Sequence, residues 1–174
     1  MTGSLPSAEE LYAHLKNALS EKLRGTDPAN TYLVGIYSGG AWLARRLCGD
    51  LNLPNQPGTL NTSLHRDDFS RIGLHSQTQP SHVPFEVEGA HIFLIDDILF
   101  TGRTIRAALN ELYDYGRPAS VRLGVLIDRG GRELPIAPDI CGGVLPLPRG
   151  SNYVLAADDD SRFTLTMEEE PRHV

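Results

Sequence analysis

The chain has 174 residues, 40% of them hydrophobic, which is enough to bury one core and most simply makes one domain over 1–174. A formal charge of −6 and a pI near 5.4 weigh against intrinsic affinity for nucleic acid or an anionic membrane. Two distant cysteines, Cys48 and Cys141, no secretory leader pattern over Met1–Glu10 and no apolar run near the ~20 residues of a membrane span point to a soluble, disulfide-free, cytoplasmic protein without membrane contact.

Taken in chain order, Ser7-Ala8-Glu9-Glu10 is a capping-box pattern, and Leu11, Leu15, Ala18, Leu19 and Leu23 follow at helical spacing. A helix over 7–24 is expected, broken by Gly25 to Pro28. Tyr32 to Tyr37 reads as a buried strand, and after Ser38-Gly39-Gly40 a helix should run from Ala41 to about Cys48. A further strand is expected over Thr59–Leu64. From about 65 to 88 the pattern dissolves into polar residues and prolines, and a loop of that length in a compact domain is usually a lid or a binding loop.

His91 to Ile95 is then a short buried strand closed by Asp96 and Asp97. Thr101-Gly102-Arg103-Thr104 opens a helix carried by Ile105, Ala108, Leu109 and Leu112, which Gly116 and Pro118 end. Ser120 to Ile127 is another buried strand. After Asp128 the chain is rich in Gly and Pro, which suggests a cap over the sheet rather than another βα unit. Asp158 to Asp160 should be a solvated turn. Strands alternating with helices predict an α/β fold with a mostly parallel sheet and right-handed crossovers.

Open parallel sheets bind ligands in the crevice beyond their strand ends. Three loops converge there: Tyr37 to Gly40, Asp96-Asp97 with its Thr-Gly turn, and Asp128-Arg129-Gly130. The turn at Thr101, Gly102, Arg103 and Thr104 offers backbone N–H groups and a positive helix end to a phosphate. The two acids offer acceptors to ribose hydroxyls or to a hydrated metal ion. Together they describe a site for a sugar phosphate. The glycine loop is no Walker A, because Ala41-Trp42 replaces the required Lys-Ser/Thr. The six histidines show no metal-ligand spacing.

Ile95-Asp96-Asp97-Ile98-Leu99-Phe100-Thr101-Gly102-Arg103-Thr104 resembles the 5-phosphoribosyl pyrophosphate (PRPP) motif of type I phosphoribosyltransferases. Leu64-His65-Arg66-Asp67-Asp68-Phe69-Ser70 upstream and Ile127 to Ile136 downstream are similar to the PyrR-type family of pyrimidine-operon regulators and uracil phosphoribosyltransferases. The resemblance implies the type I fold, a central parallel sheet flanked by helices with a flexible catalytic loop at about 65–88 and a small hood at about 128–152. It implies transfer from PRPP to uracil, giving UMP and pyrophosphate, with Mg²⁺ bound indirectly by Asp96 and Asp97 through ribose hydroxyls or water.

In that reading Asp96, Asp97 and Arg66 carry catalysis. Ser38, Gly39 and Gly40 form the pyrophosphate loop, Thr101 to Thr104 hold the 5′-phosphate, and Asp128 and Arg129 meet the base. Tyr37 and Gly39 stand where the family pattern Gly-Ile-Lys-Thr-Arg-Gly carries basic residues, which weakens neutralisation of the leaving group. Gly131 and Ala137 likewise replace the basic or polar residues of RNA-binding members, and with the negative charge they weigh against RNA binding. A homodimer or larger homo-oligomer is implied by the family. Two alternatives stand beside the uracil enzyme: a UMP- or PRPP-sensing regulator of pyrimidine genes with little catalysis, and a purine-type phosphoribosyltransferase.

Overall fold

Residues 5–62, 79–148 and 150–169 are described by the computed structural model. Helix α1 (Ala8–Leu23) begins as its capping box requires, with Ser7 Oγ accepting from the Glu10 N–H and the Glu10 carboxylate accepting from the Ser7 N–H, both at 3.1 Å. Strand β1 (Thr31–Ile36) leads into α2 (Gly39–Asp50), then β2 (Gly58–Leu60), β3 (His91–Leu99), α3 (Arg103–Asp114), β4 (Ser120–Asp128) and β5 (Ile140–Val144). The five strands form one parallel sheet in the order β2-β1-β3-β4-β5. An antiparallel ribbon of β6 (Ser151–Ala157) and β7 (Phe163–Glu169) follows, with the exposed Asp158–Asp160 in its turn.

Strand alternation divides the core into two layers. Leu33 and Phe93 face α1, α2 and the ribbon, together with Leu11, Leu15, Leu43, Leu47 and Tyr153. Val34, Ile92 and Leu94 face the other way, onto Ile105, Ala108 and Leu112 of α3. β1 and β3 are covered on both faces, which is why they read as nearly continuous apolar runs.

Three elements depart from the expected pattern. The strand expected at 59–64 is confined to Gly58–Leu60, and residues beyond Thr62 lie outside the described ones. β3 does not close at the acid pair but runs on to Leu99, because Asp96, Ile98 and Leu99 stay in register with Val125, Ile127 and Asp128 of β4. The acids use part of their own oxygens to keep the chain extended: Asp96 Oδ1 accepts from the Asp97 N–H at 2.9 Å and Asp97 Oδ1 from the Ile98 N–H at 2.8 Å.

The segment expected to cap the sheet instead sends Ile140–Val144 into it as the edge strand β5. No helix links β4 to β5, and α1 covers that edge. A Cβ at Gly142 would stand 2.5 Å from the Leu11 and Leu126 carbonyl oxygens, so glycine is what lets helix and strand approach. Those glycines also remove the apolar signature of a strand.

A latch ties the first helix to the ribbon. Arg46 on α2 donates both Nη groups to the Glu9 carboxylate at 2.8 Å, and its guanidinium lies 4.0 Å from the Tyr12 ring centroid and 5.0 Å from that of Phe163. The Phe163 N–H donates to Glu9 Oε1 at 2.7 Å, and the Tyr12 hydroxyl donates to Asp50 at 2.7 Å. The Arg46 hydrogen bonds hold the Glu9 carboxyl below its ordinary 4.5, against a smaller opposing push from burial.

A depressed folded-state pKa means stability present above the unfolded value and lost as pH falls through the folded one. Glu9→Gln is therefore expected to melt lower than the wild type at pH 7. Solvent screening at this half-exposed pair keeps the loss to about 1 kcal/mol or less, a Tm change of about 2–4 °C. Melting curves of both proteins from pH 7 down to pH ~3 should converge as the carboxylate protonates.

Candidate functional site

An open crevice of about 770 Å³ lies at the carboxyl ends of β1 and β3, with the ribbon strand β6 as its far wall. Its floor is the acid pair. Asp96 is buried, at 4% exposure, and Asp97 is half-buried. Tyr37, Ser38 and Gly39 come in from the β1–α2 junction, and Phe100 through Thr104 from the β3–α3 junction.

The β1–α2 junction is packed backbone on backbone. A Cβ at Gly35 would stand 2.3 Å from the Gly40 carbonyl oxygen, and one at Gly40 would stand 2.3 Å from that of Ile95. At Gly39 the same atom would stand 2.3 Å from Asp97 Oδ2. The N-terminus of α2, with its free N–H groups, is thereby brought against the acid pair. A side chain at position 39 would have to displace the Asp97 carboxylate. Gly40 is buried against β3 and does not line the crevice, unlike Ser38 and Gly39.

At the second junction Gly102 has φ +93°, a left-handed conformation that favours glycine. Thr101 Oγ1 accepts from the Arg103 N–H at 3.2 Å, while the Thr101 carbonyl accepts from the Glu133 and Leu134 N–H groups at 2.9 and 3.1 Å. The turn is thus clipped to the segment after β4. Arg103 lines the crevice, but its guanidinium pairs with Glu133 at 2.7 Å, each side chain about half exposed at 49% and 51%.

The two residues expected to meet the base part company. Asp128 does not line the crevice: its carboxylate is taken by Arg132 at 2.6 Å and by the Gly130 N–H at 3.0 Å. Burial pushes the Asp128 pKa up, but those two bonds outweigh it and the group lies below its ordinary value. Arg129 does line the crevice. It is buried at 6% exposure, donates to Asn152 Oδ1 at 2.9 Å, and lies 3.9 Å from the centroid of the Phe100 ring. Arg66 falls outside the described residues, as does all of 63–78.

Phe100, Trp42, Asn152, Tyr153 and Glu133 also line the crevice and were not singled out by sequence reasoning. A large aromatic in the spacer between an acid pair and a phosphate turn was the available signal for Phe100. Asn152 had none, since its role follows from how β6 docks. Among the described residues no group of three or more His, Cys, Asp or Glu is placed to hold a metal ion, and no helix is long and apolar enough to cross a membrane.

A crevice with acceptors for sugar hydroxyls on its floor and two helix-opening turns for phosphates on its sides marks a protein that handles a phosphorylated pentose. The comparisons agree and go further. The chain belongs to the phosphoribosyltransferase family, whose "Phosphoribosyl transferase domain" model matches residues 2–143. It is 50% identical over 171 residues to the bifunctional protein PyrR of Ralstonia nicotianae, covering 97% of this chain and 98% of that one. To the bifunctional protein PyrR of Nitrosococcus oceani it is 46% identical over 159 residues, 90% of each chain.

Among solved structures it resembles the hypoxanthine phosphoribosyltransferase of Trypanosoma cruzi, with a TM-score of 0.63 and 20% identity over 94% of this chain and 90% of that one. It also resembles an HGPRT-ase of Leishmania tarentolae solved with GMP, with a TM-score of 0.59 and 20% identity over 84% and 82%. Both likenesses concern the fold. The type I fold and the kinship with PyrR-type proteins expected from the three motifs are borne out.

The two glycines of the α2 junction should respond differently to a methyl group. Gly40→Ala meets a backbone oxygen that cannot swing away and is expected to lose about 1–3 kcal/mol of stability, measured by denaturant unfolding. Gly39→Ala meets a movable carboxylate, so stability should change less. Its displaced Asp97 should weaken binding of ribose 5-phosphate about tenfold, measured by titration calorimetry.

Proposed function

We propose that this protein transfers the phosphoribosyl group of PRPP to uracil, giving UMP and pyrophosphate. The observation that carries the reading is the junction just described: the Asp96–Asp97 pair and the N-terminus of α2 held in one crevice by glycines, in a chain half identical to PyrR proteins. Asp96 and Asp97 accept hydrogen bonds from the ribose hydroxyls, and their charge favours the cation-like sugar that forms as the C1′–O bond to pyrophosphate breaks. The turn at Thr101–Thr104 holds the 5′-phosphate, and N–H groups at Ser38 and Gly39 receive the departing diphosphate. Arg66 is assigned to the diphosphate by family resemblance alone. Uracil as the base is supported by the likeness of Ile127–Ile136 to the base-side segment of the PyrR-type family.

Two carboxylates with no third ligating side chain among the described residues fit a Mg²⁺ ion that arrives with the substrate better than a resident metal. Asp96 and Asp97 would hold it through ribose hydroxyls or water, and it would supply charge neutralisation to the diphosphate. The reading extends to a cytoplasmic homodimer or larger homo-oligomer, which sedimentation velocity measures directly.

A second reading, regulation of pyrimidine genes in response to UMP or PRPP, is favoured by the word "bifunctional" in the relatives' names. Its RNA-binding form meets two uncharged positions, Gly131 and Ala137. A Cβ at Gly131 would stand 2.4 Å from Phe100 Cε2, so a basic side chain there must displace the ring, and Ala137 is exposed and uncharged.

The transfer reaction is tested by UMP formation from uracil and PRPP. Replacing both Asp96 and Asp97 by Asn should reduce kcat/KM more than about a hundredfold with the fold retained by circular dichroism. Chelation by EDTA should abolish turnover and added Mg²⁺ restore it. A wild type that binds PRPP well yet forms no UMP contradicts the proposal.

A further inference from the structure

Phe100 carries no role in the reading above, and its surroundings are too ordered for a spacer. It is 40% exposed and lines the crevice between the acid pair and the phosphate turn. Three features define its surroundings. The Arg129 guanidinium lies 3.9 Å from the centre of its ring, a Cβ at Gly131 (φ +78°) would stand 2.4 Å from ring atom Cε2, and Arg132 Nη1 donates to its carbonyl oxygen at 2.8 Å. Arg129 is itself held from the far wall by Asn152 at 2.9 Å, and its buried Nε has no hydrogen-bond partner. A desolvated cation with an unmet donor is costly to keep, and attraction to the ring face offsets part of that cost. The pair therefore does more than fasten the ribbon through Asn152.

We propose that Phe100 is the platform on which the base stacks, and that Arg129, oriented by Asn152, holds that platform in place. Three observations favour this. The ring stands one residue before the phosphate turn and three after Asp97, beside the place where the sugar must sit if its hydroxyls and its phosphate are both held. Phe100 is 40% exposed and lines the crevice. A cation behind one face also offsets the negative π charge of the ring, so the open face accepts an electron-rich partner such as a pyrimidine-dione that is giving up its N1 proton. Arg129 then acts through Phe100 and is a positioning residue, as is Asn152. This rests on the proposed function for the identity of the base, but the stacking itself is independent of which base is converted.

The test compares UMP with ribose 5-phosphate, which lacks a base, by titration calorimetry on the full chain. Phe100→Leu removes the aromatic face and keeps an apolar side chain. It should bind UMP about tenfold more weakly, within the range found for single base–aromatic stacks, and ribose 5-phosphate with unchanged affinity. Phe100→Tyr should restore UMP binding. Asn152→Ala, by loosening Arg129, should reproduce part of the UMP loss with no change for ribose 5-phosphate. In turnover assays the same variants should raise KM for the base and leave KM for PRPP alone.

Equal losses for both ligands would show that Phe100 only shapes the phosphate turn, and the proposal would fail. Unchanged UMP binding would overturn it too, as would tighter binding in Phe100→Leu, the mark of a ring that plugs the site. If the wild type converts no uracil, the uracil reading fails, while the contrast between UMP and ribose 5-phosphate still decides the platform.

Discussion

Everything at the site depends on the contact between the glycine-lined start of α2 and the end of β3. Side chains at Gly35, Gly39 and Gly40 would each overlap a neighbour at 2.3 Å: the Gly40 oxygen, the Asp97 carboxylate and the Ile95 oxygen respectively. Removing them lets a helix N-terminus close on a strand end with no layer of side chains between. The partial positive charge of that helix end then stands beside two carboxylates, each favourable to the other, and both face one crevice. Had the helix been packed at ordinary distance, its N-terminus would lie farther from the acid pair.

The opposite wall is placed by charges rather than by glycines. The ribbon of β6 and β7 is fastened at two points, by Asn152 to Arg129 on the crevice side and by Phe163 to the Glu9–Arg46–Tyr12 cluster behind it. Both fastenings use an arginine against an aromatic ring. Such contacts are geometrically specific yet individually modest, which suits a wall that must hold its shape over an open cavity. It also links the N-terminal helix to the base side of the site through a short chain of contacts.

How much of this was legible in the sequence depended on whether the deciding force was local. The capping box of α1, the doubly covered strands β1, β3 and β4, and the α3 turn are set by near neighbours in the chain, and they stand where periodicity placed them. β5 was invisible because Gly142 and Gly143, needed for the approach of α1, erased its apolar pattern. The acid pair lies in the crevice where it was expected, but the continuation of β3 through it follows from pairing with β4, which no local pattern reports. Asp128 was misplaced for a similar reason: its carboxylate is consumed by Arg132 across a turn. Arg103, expected on the phosphate, is drawn to Glu133 from another segment. The missing charge at Gly39 looked like a loss; in three dimensions a side chain there would have to displace the Asp97 carboxylate.

The most direct test of the account is a base panel. The wild-type protein is incubated with PRPP and Mg²⁺ and with uracil, hypoxanthine or orotate in turn, and pyrophosphate release and nucleotide formation are followed together. The account predicts UMP and pyrophosphate in equal amounts from uracil, with kcat/KM more than about tenfold above that for either other base. Preference for hypoxanthine or orotate, or no nucleotide from any of the three, would contradict it.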